Sequence, residues 1–189
     1  LSELEHFCAR YPHVRIRLLN YSAPQAVKAL ENNIIDFAIV STPVLVHKHM
    51  HQEKLVSYDE ILLGGTKYKQ FAQQVHYLED ISEMPLIGLC EGSSTHTHYS
   101  RFFMEHDLPF EPDMEAAMTD QVLPMITHNL GIGFYPKSLA LEAIEKELVF
   151  PIELTEPLPN RDVVVITNNH TPINSAARRF LEFLLENRK

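Results

Sequence analysis

An open α/β fold is expected for this chain on three observations. Helical and extended patterns alternate along it, two such alternating runs are separated by Gly64-Gly65, and the composition is that of a folded globular chain. Its 189 residues allow one or at most two compact domains, with 45% hydrophobic and 22% charged residues. A mean hydropathy of −0.13 fits the same class and excludes disordered, collagen-like or fibrous chains.

The elements follow in order. Leu1, Leu4, Phe7, Cys8 and Tyr11 recur at helical spacing, and Pro12 stops that helix. Apolar and basic residues alternate through Val14-Arg15-Ile16-Arg17-Leu18, which predicts a strand with one buried face. Ser22 is placed to cap a helix whose inner stripe is Ala23, Ala26, Val27 and Leu30. Asp36 to Val40 is a short apolar run of the kind buried in parallel sheets. Leu55 to Leu63 holds two extended stretches around Tyr58-Asp59 and ends at the double glycine.

In the second run, Pro85 to Cys90 predicts a buried strand, and Glu91-Gly92-Ser93-Ser94 turns into a helix reaching His106. Met114 to Met118 predicts a short strand, and Thr119 caps a helix to His128. Pro124 inside that helix removes a hydrogen bond or bends the axis. Ile132 to Tyr135 is another strand, closed by Pro136, and Leu148–Leu154 and Asp162–Thr167 are extended. The last helix carries Ile173, Ala176, Ala177, Phe180, Leu181, Leu184 and Leu185 on one stripe. Two lobes are therefore expected, the chain leaving the first near residues 65–75 and returning near 150–156. A chain that crosses twice leaves a cleft at the junction, where small ligands commonly bind.

Charge and motifs narrow the function. Sixteen Lys and Arg against 25 Asp and Glu give a net charge of −9, which argues against binding of a phosphate backbone by these residues themselves. No apolar run approaches a membrane span, and no charged-then-apolar signal segment opens the chain, so a cytoplasmic protein with no membrane partner is expected. Two cysteines without a CxxC pattern make neither a disulfide framework nor a zinc knuckle. GxSxG, HExxH and a Walker glycine loop are missing, so no enzyme, no catalytic residue and no cofactor is expected. Cys90 and His96 are near enough in sequence to picture a thiol–imidazole pair, but a buried inert cysteine is the expected outcome.

Several stretches, in this order, resemble the effector-binding domain of LysR-type transcriptional regulators. They are Leu4, Phe7, Tyr11-Pro12 and Val14; Ala29-Leu30 and Asp36-Phe37-Ala38-Ile39; Pro85-Leu86-Ile87 with Glu91-Gly92-Ser93-Ser94; Leu130 to Pro136; and Leu148 to Leu154 with Ser175-Ala176-Ala177, Phe180, Phe183 and Leu184. The resemblance implies a type-2 periplasmic-binding-protein-like fold: two Rossmann-like α/β lobes joined by two crossover strands, with residues 1–70 and 154–189 as lobe I and 71–153 as lobe II. It implies a small-molecule effector, of small anion or carboxylate type, in the cleft between the lobes. DNA would be bound only through an N-terminal winged helix-turn-helix outside these residues, and the protein would be a homodimer or homotetramer. By the same resemblance helices 1–11 and 119–128, with Leu123 and Met125 beyond the core stripe, would pair antiparallel between subunits, and a broad core face explains these apolar residues equally well. In the family a strand and a Ser/Thr-bearing turn precede the helix that here begins at Leu1, so upstream residues are expected. Asn32-Asn33 and Asn129 stand where the family favours glycine, a mild departure because Asn tolerates the left-handed conformation. A free-standing solute-binding protein of the same fold is the alternative.

The candidate contacts follow. Gly92, Ser93, Ser94 and Thr95 offer hydroxyls and free N–H groups at a helix N-terminus, where the partial positive charge favours an anion. Capping alone accounts for these residue types; the resemblance is what turns them toward the cleft. Ser22 receives the same argument, and Ser41 and Thr42 follow a buried strand, where open α/β sheets present ligand contacts. Gln121 and Phe134 are carried by the resemblance, although Phe134 also fits the core. Of His96 and His98, one would reach a bound anion as an imidazolium and the other would lie on the surface. His47, His49 and His51 stand at every second position, the spacing by which a strand would face three imidazoles to one metal ion. Their surroundings predict a solvated connecting loop, and no metal site is expected.

Overall fold

The computed structural model describes residues 2–186. The chain divides into two compact units: one combines the residues up to Ser57 with those from Asp162 onward, and the other runs from Tyr58 to Arg161.

In the first unit, α1 (Ser2–Arg10) and α2 (Ala23–Glu31) precede β1 (Ala38–Ser41) and β2 (Met50–Tyr58), and the returning chain adds β9 (Arg161–Asn168) and α7 (Ser175–Glu186). The strands form one sheet in the order β1-β9-β2, with β1 antiparallel to β9. The stripe predicted for α2 is buried, and Ala26, Val27 and Leu30 pack with Ala38, Met50, Val164 and Ile166 from the sheet. Phe7 of α1 meets the edge of Phe180 on α7 at 4.8 Å. These aromatic contacts explain the apolar spacing of both terminal helices.

The strand expected at Val14–Leu18 does not form. The segment is irregular, and Leu18 is 69% exposed. Period-two alternation specifies only which face a strand would bury once a neighbour pairs with it. No strand among the described residues pairs with this segment. Val14 donates to the Tyr11 carbonyl at 3.1 Å, and Arg17 Nη2 donates to the Ile34 carbonyl at 3.0 Å.

The second unit contains β3 (Glu60–Gly65), β4 (Val75–His76), α3 (Leu78–Ile81), β5 (Leu86–Leu89), α4 (Ser94–Met104), β6 (Met114–Ala116), α5 (Thr119–Thr127), β7 (Ile132–Pro136), α6 (Lys137–Glu145) and β8 (Val149–Leu154). Its sheet has the order β4-β8-β3-β7-β5-β6. β5 is parallel to β6 and β7, whereas β3 runs antiparallel to β7 and β8. Neighbouring strand residues face opposite sides. Leu62, Leu86 and Phe134 join Tyr99, Phe102 and Phe103 in one core cluster, while Leu63, Ile87 and Tyr135 join Val122 and Ile126 in another. Burial on both faces is why these strands read as apolar runs.

The units divide at Ser57/Tyr58 and Arg161/Asp162, not at residues 70 and 154. The double glycine explains the difference. Gly64 lies inside β3, paired on both sides by β7 and β8, and Gly65 ends the strand, paired with Val149 of β8. A Cβ on Gly65 would lie 2.3 Å from the Ile126 carbonyl oxygen. The glycine is needed for the close approach of α5 to the sheet, and it marks no boundary. Pro124 sits inside α5 as expected, and its carbonyl accepts from Thr127 Oγ1 at 2.8 Å.

Four helices end alike without glycine. Asn33, Asp107, Asn129 and Glu147 have φ of 54°, 59°, 61° and 52°. After each, the next N–H reaches back five residues, from Ile34 to Ala29, Leu108 to Phe103, Leu130 to Met125 and Leu148 to Ala143. This is the Schellman arrangement, and it satisfies carbonyls that the helix leaves open. Of the expected asparagines, Asn33 and Asn129 take the left-handed conformation and Asn32 does not.

Candidate functional site

The β5–α4 turn carries the densest set of predicted residues. Gly92 has φ +83°, which favours glycine, and Ser93 follows in extended conformation as the N-cap of α4. Ser93 is buried, and its hydroxyl accepts the His96 N–H at 3.1 Å. Thr97 Oγ1 donates to the Ser93 carbonyl at 3.1 Å. Ser94 and Thr95 are half-buried on the first turn, and no acidic side chain occupies that turn. The N–H groups and dipole of α4 therefore favour negative charge at this end, with no side-chain carboxylate from the first turn offsetting it.

The other candidates fall into separate places. Gln121, on the first turn of α5, accepts the N–H groups of Ala117 at 2.9 Å and Met118 at 3.0 Å, so its carbonyl oxygen serves that helix start. Phe134 is buried on β7 and stacks on Tyr99 of α4 at 4.3 Å, which brings it together with α4. In the first unit, Ser22 is the N-cap of α2, and its N–H donates to Gln25 Oε1 at 3.0 Å. Ser41 ends β1 and is half-buried. Thr42 exchanges bonds with Asp162: its N–H donates to the Asp162 carbonyl at 2.9 Å, and its Oγ1 accepts the Asp162 N–H at 3.0 Å.

Sequence reasoning passed over a buried polar cluster in the second unit. Glu60 is 7% exposed, Arg161 2% and Tyr99 2%. Glu60 accepts from the Tyr99 hydroxyl through Oε2 and from Arg161 Nη1 through Oε1, the latter at 3.0 Å. Burial, followed by the Glu60 charge, holds the Tyr99 phenol protonated well above its ordinary range. Arg161 also lies 5.9 Å from the centre of the Tyr58 ring. The available signal was a pair of charges at the head of each apolar strand, Asp59-Glu60 before Ile61-Leu62-Leu63 and Arg161-Asp162 before Val163-Val164-Val165.

Beside this cluster, His98 is pushed down to about 4, first by burial and then by the Arg161 charge. It is neutral at pH 7, so it is not the imidazolium that the sequence pattern allowed. His96 Nδ1 lies 3.2 Å from Ser100 Oγ. Asp162, on the other side of the unit boundary, is bonded by Lys54 at 2.7 Å and by Ser57 Oγ at 2.7 Å, and these bonds hold its carboxyl below the usual range. His47 and His49 precede β2, His49 in a turn, as the loop reading expected, but His51 is the second residue of β2 and lies in a strand; His49 stacks between His47 and His170. Among the described residues no group of His, Cys, Asp and Glu is placed to hold a metal ion.

A family model for the LysR substrate binding domain matches residues 3–189. The chain belongs to this family. Among relatives of this LysR substrate-binding domain is the HTH-type transcriptional regulator GltR of Bacillus subtilis (strain 168), 22% identical over 144 residues, covering 76% of this chain and 47% of GltR. The HTH-type transcriptional regulator YofA of Bacillus velezensis is 20% identical over 178 residues, covering 94% of this chain and 59% of YofA. The chain thus spans about half the length of the curated relatives it matches.

Solved structures show the same fold. The CcmR regulatory domain of Synechocystis PCC6803, in complex with 2-PG, superposes with a TM-score of 0.86 at 16% identity, covering 100% of this chain and 90% of that one. The effector-binding domain of QuiR, in complex with shikimate, gives 0.83 at 16% identity, covering 99% and 88%. The LysR substrate-binding domain described here is therefore a mixed α/β protein with two sheets and a type-2 periplasmic-binding-protein-like fold. Its family and these relatives are transcriptional regulators, and no helix among the described residues is long and apolar enough to cross a membrane.

Proposed function

We propose that this LysR substrate-binding domain senses a small anion or carboxylate and thereby controls DNA binding by an N-terminal helix-turn-helix of a cytoplasmic homodimeric or homotetrameric regulator, without catalysing a reaction. The observation that carries this reading is the start of α4, where Ser94, Thr95 and the first N–H groups face an end free of acidic side chains in its first turn. The family resemblance implies effector contacts from Ser22, Ser41 and Thr42 in the first unit and from Gly92–Thr95, Gln121 and Phe134 in the second. Such an effector shifts the regulator only by its difference in affinity for two arrangements of the subunits.

The test is calorimetric titration of the domain with a panel of small carboxylates and phosphates that includes 2-PG and shikimate. Saturable binding by at least one of them is expected, weakened about tenfold in Thr95→Val, consistent with loss of a hydrogen bond to a charged group. Thr95 is the cleaner probe, because Ser93→Ala also removes the cap of α4, at about 1 kcal/mol. Equal affinity in the wild type and Thr95→Val sinks the assignment of the site, and failure of every panel member to bind sinks the ligand class.

A further inference from the structure

Helix α4 carries two features on successive turns. Its first turn holds Ser94 and Thr95, and one turn later Tyr99 is buried with its hydroxyl on Glu60. Glu60 is the third residue of the second unit and Arg161 is its last. The carboxylate of Glu60 thus joins α4 to both points at which the chain passes from one unit to the other. Asp162 follows Arg161 directly, and its main chain bonds Thr42 in both directions while its side chain bonds Ser57 and Lys54. A continuous series of hydrogen bonds and one peptide link therefore runs from α4 to Thr42, which adjoins Ser41.

We infer that Tyr99, Glu60 and Arg161 are a relay that couples the Ser93–Thr95 turn to Asp162 and Thr42. Its meaning for effector response rests on the function proposed above; its mechanical content does not. A buried ion pair adds little stability over well-packed apolar side chains, so stability alone does not account for charges at these positions. Directional bonds are instead either made or broken, which is what a coupling element requires. Tyr99 stays protonated at physiological pH and therefore remains a donor to Glu60. In this relay the three residues act by positioning others.

The experiment is amide hydrogen exchange on the ligand-free protein, comparing wild type with Tyr99→Phe and Glu60→Gln. Tyr99→Phe alters one hydroxyl inside the second unit. It is expected to speed exchange at the Thr42 and Asp162 amides about tenfold relative to the Cys90 amide, which donates to Ala116. Glu60→Gln keeps the side-chain shape and is expected to act in the same direction. Faster exchange confined to the second unit, with Thr42 and Asp162 unchanged, overturns the relay. So does a uniform rise that leaves the ratio to Cys90 at its wild-type value in both variants. By reciprocity, Asp162→Asn should quicken the His96 and Thr97 amides, which are held by Ser93, and unchanged exchange there also counts against the relay. No ligand enters these measurements, so their failure is distinguishable from failure of the effector site.

Discussion

Replacing Glu60 by Ala is the sharpest probe of the buried cluster. Glu60 accepts from the Tyr99 hydroxyl and from Arg161, whose side chain is 2% exposed, and the variant removes the buried carboxylate that both donors share. Each bond to a charged acceptor contributes about 1.5–3 kcal/mol, and removing one partner of a buried ion pair costs about 3–5 kcal/mol. Glu60→Ala should therefore lower the free energy of unfolding by about 3–5 kcal/mol, a large share of what holds a domain together. The pair Glu60→Leu with Arg161→Met removes both charges at similar volume and should recover most of that loss. Urea titration followed by circular dichroism measures both, with fluorescence as a second probe to check that the two units unfold together. A loss below about 1 kcal/mol for Glu60→Ala would place the pair among solvated surface ion pairs and refute the reasoning from burial.

Two further outcomes follow from the same geometry. His98 binds its proton less readily folded, at about 4, than unfolded, at about 6.5, so between those values the unfolded chain holds more protons and stability falls as the pH is lowered. The full shift corresponds to about 3 kcal/mol, reduced by solvent screening of a half-buried ring to about 1–2 kcal/mol; His98→Gln should flatten the loss measured by urea titration between pH 6.5 and 4. Glu147 ends α6 at φ 52°, where a side chain is strained, and its bond to Lys69 is exposed on both sides. Glu147→Gly should raise stability by about 0.5–1 kcal/mol, seen as a higher melting temperature, and a lower one would show that the Lys69 pair outweighs the strain.

The candidate site was legible where chemistry is local. A glycine and hydroxyl residues ahead of a helix identified the α4 start, because capping involves residues three apart in sequence. The roles of Thr42 and Gln121 were not legible. Thr42 bonds Asp162, 120 residues away, and no pattern within a short window reports such a pairing. Gln121 is a good ligand contact by residue type, yet its oxygen closes the start of its own helix.

Periodicity was enough to establish the alternation of helices and strands, the burial of the α2 stripe and the two-sided burial of the second sheet, since each follows from which residues an element turns inward. It could not establish that Val14–Leu18 finds no partner strand, that Gly64-Gly65 lies inside a sheet, or that Glu60, Tyr99 and Arg161 meet. Those depend on which distant segments come into register, and that choice is made by packing and by the need to satisfy buried charge, neither of which a one-dimensional pattern contains.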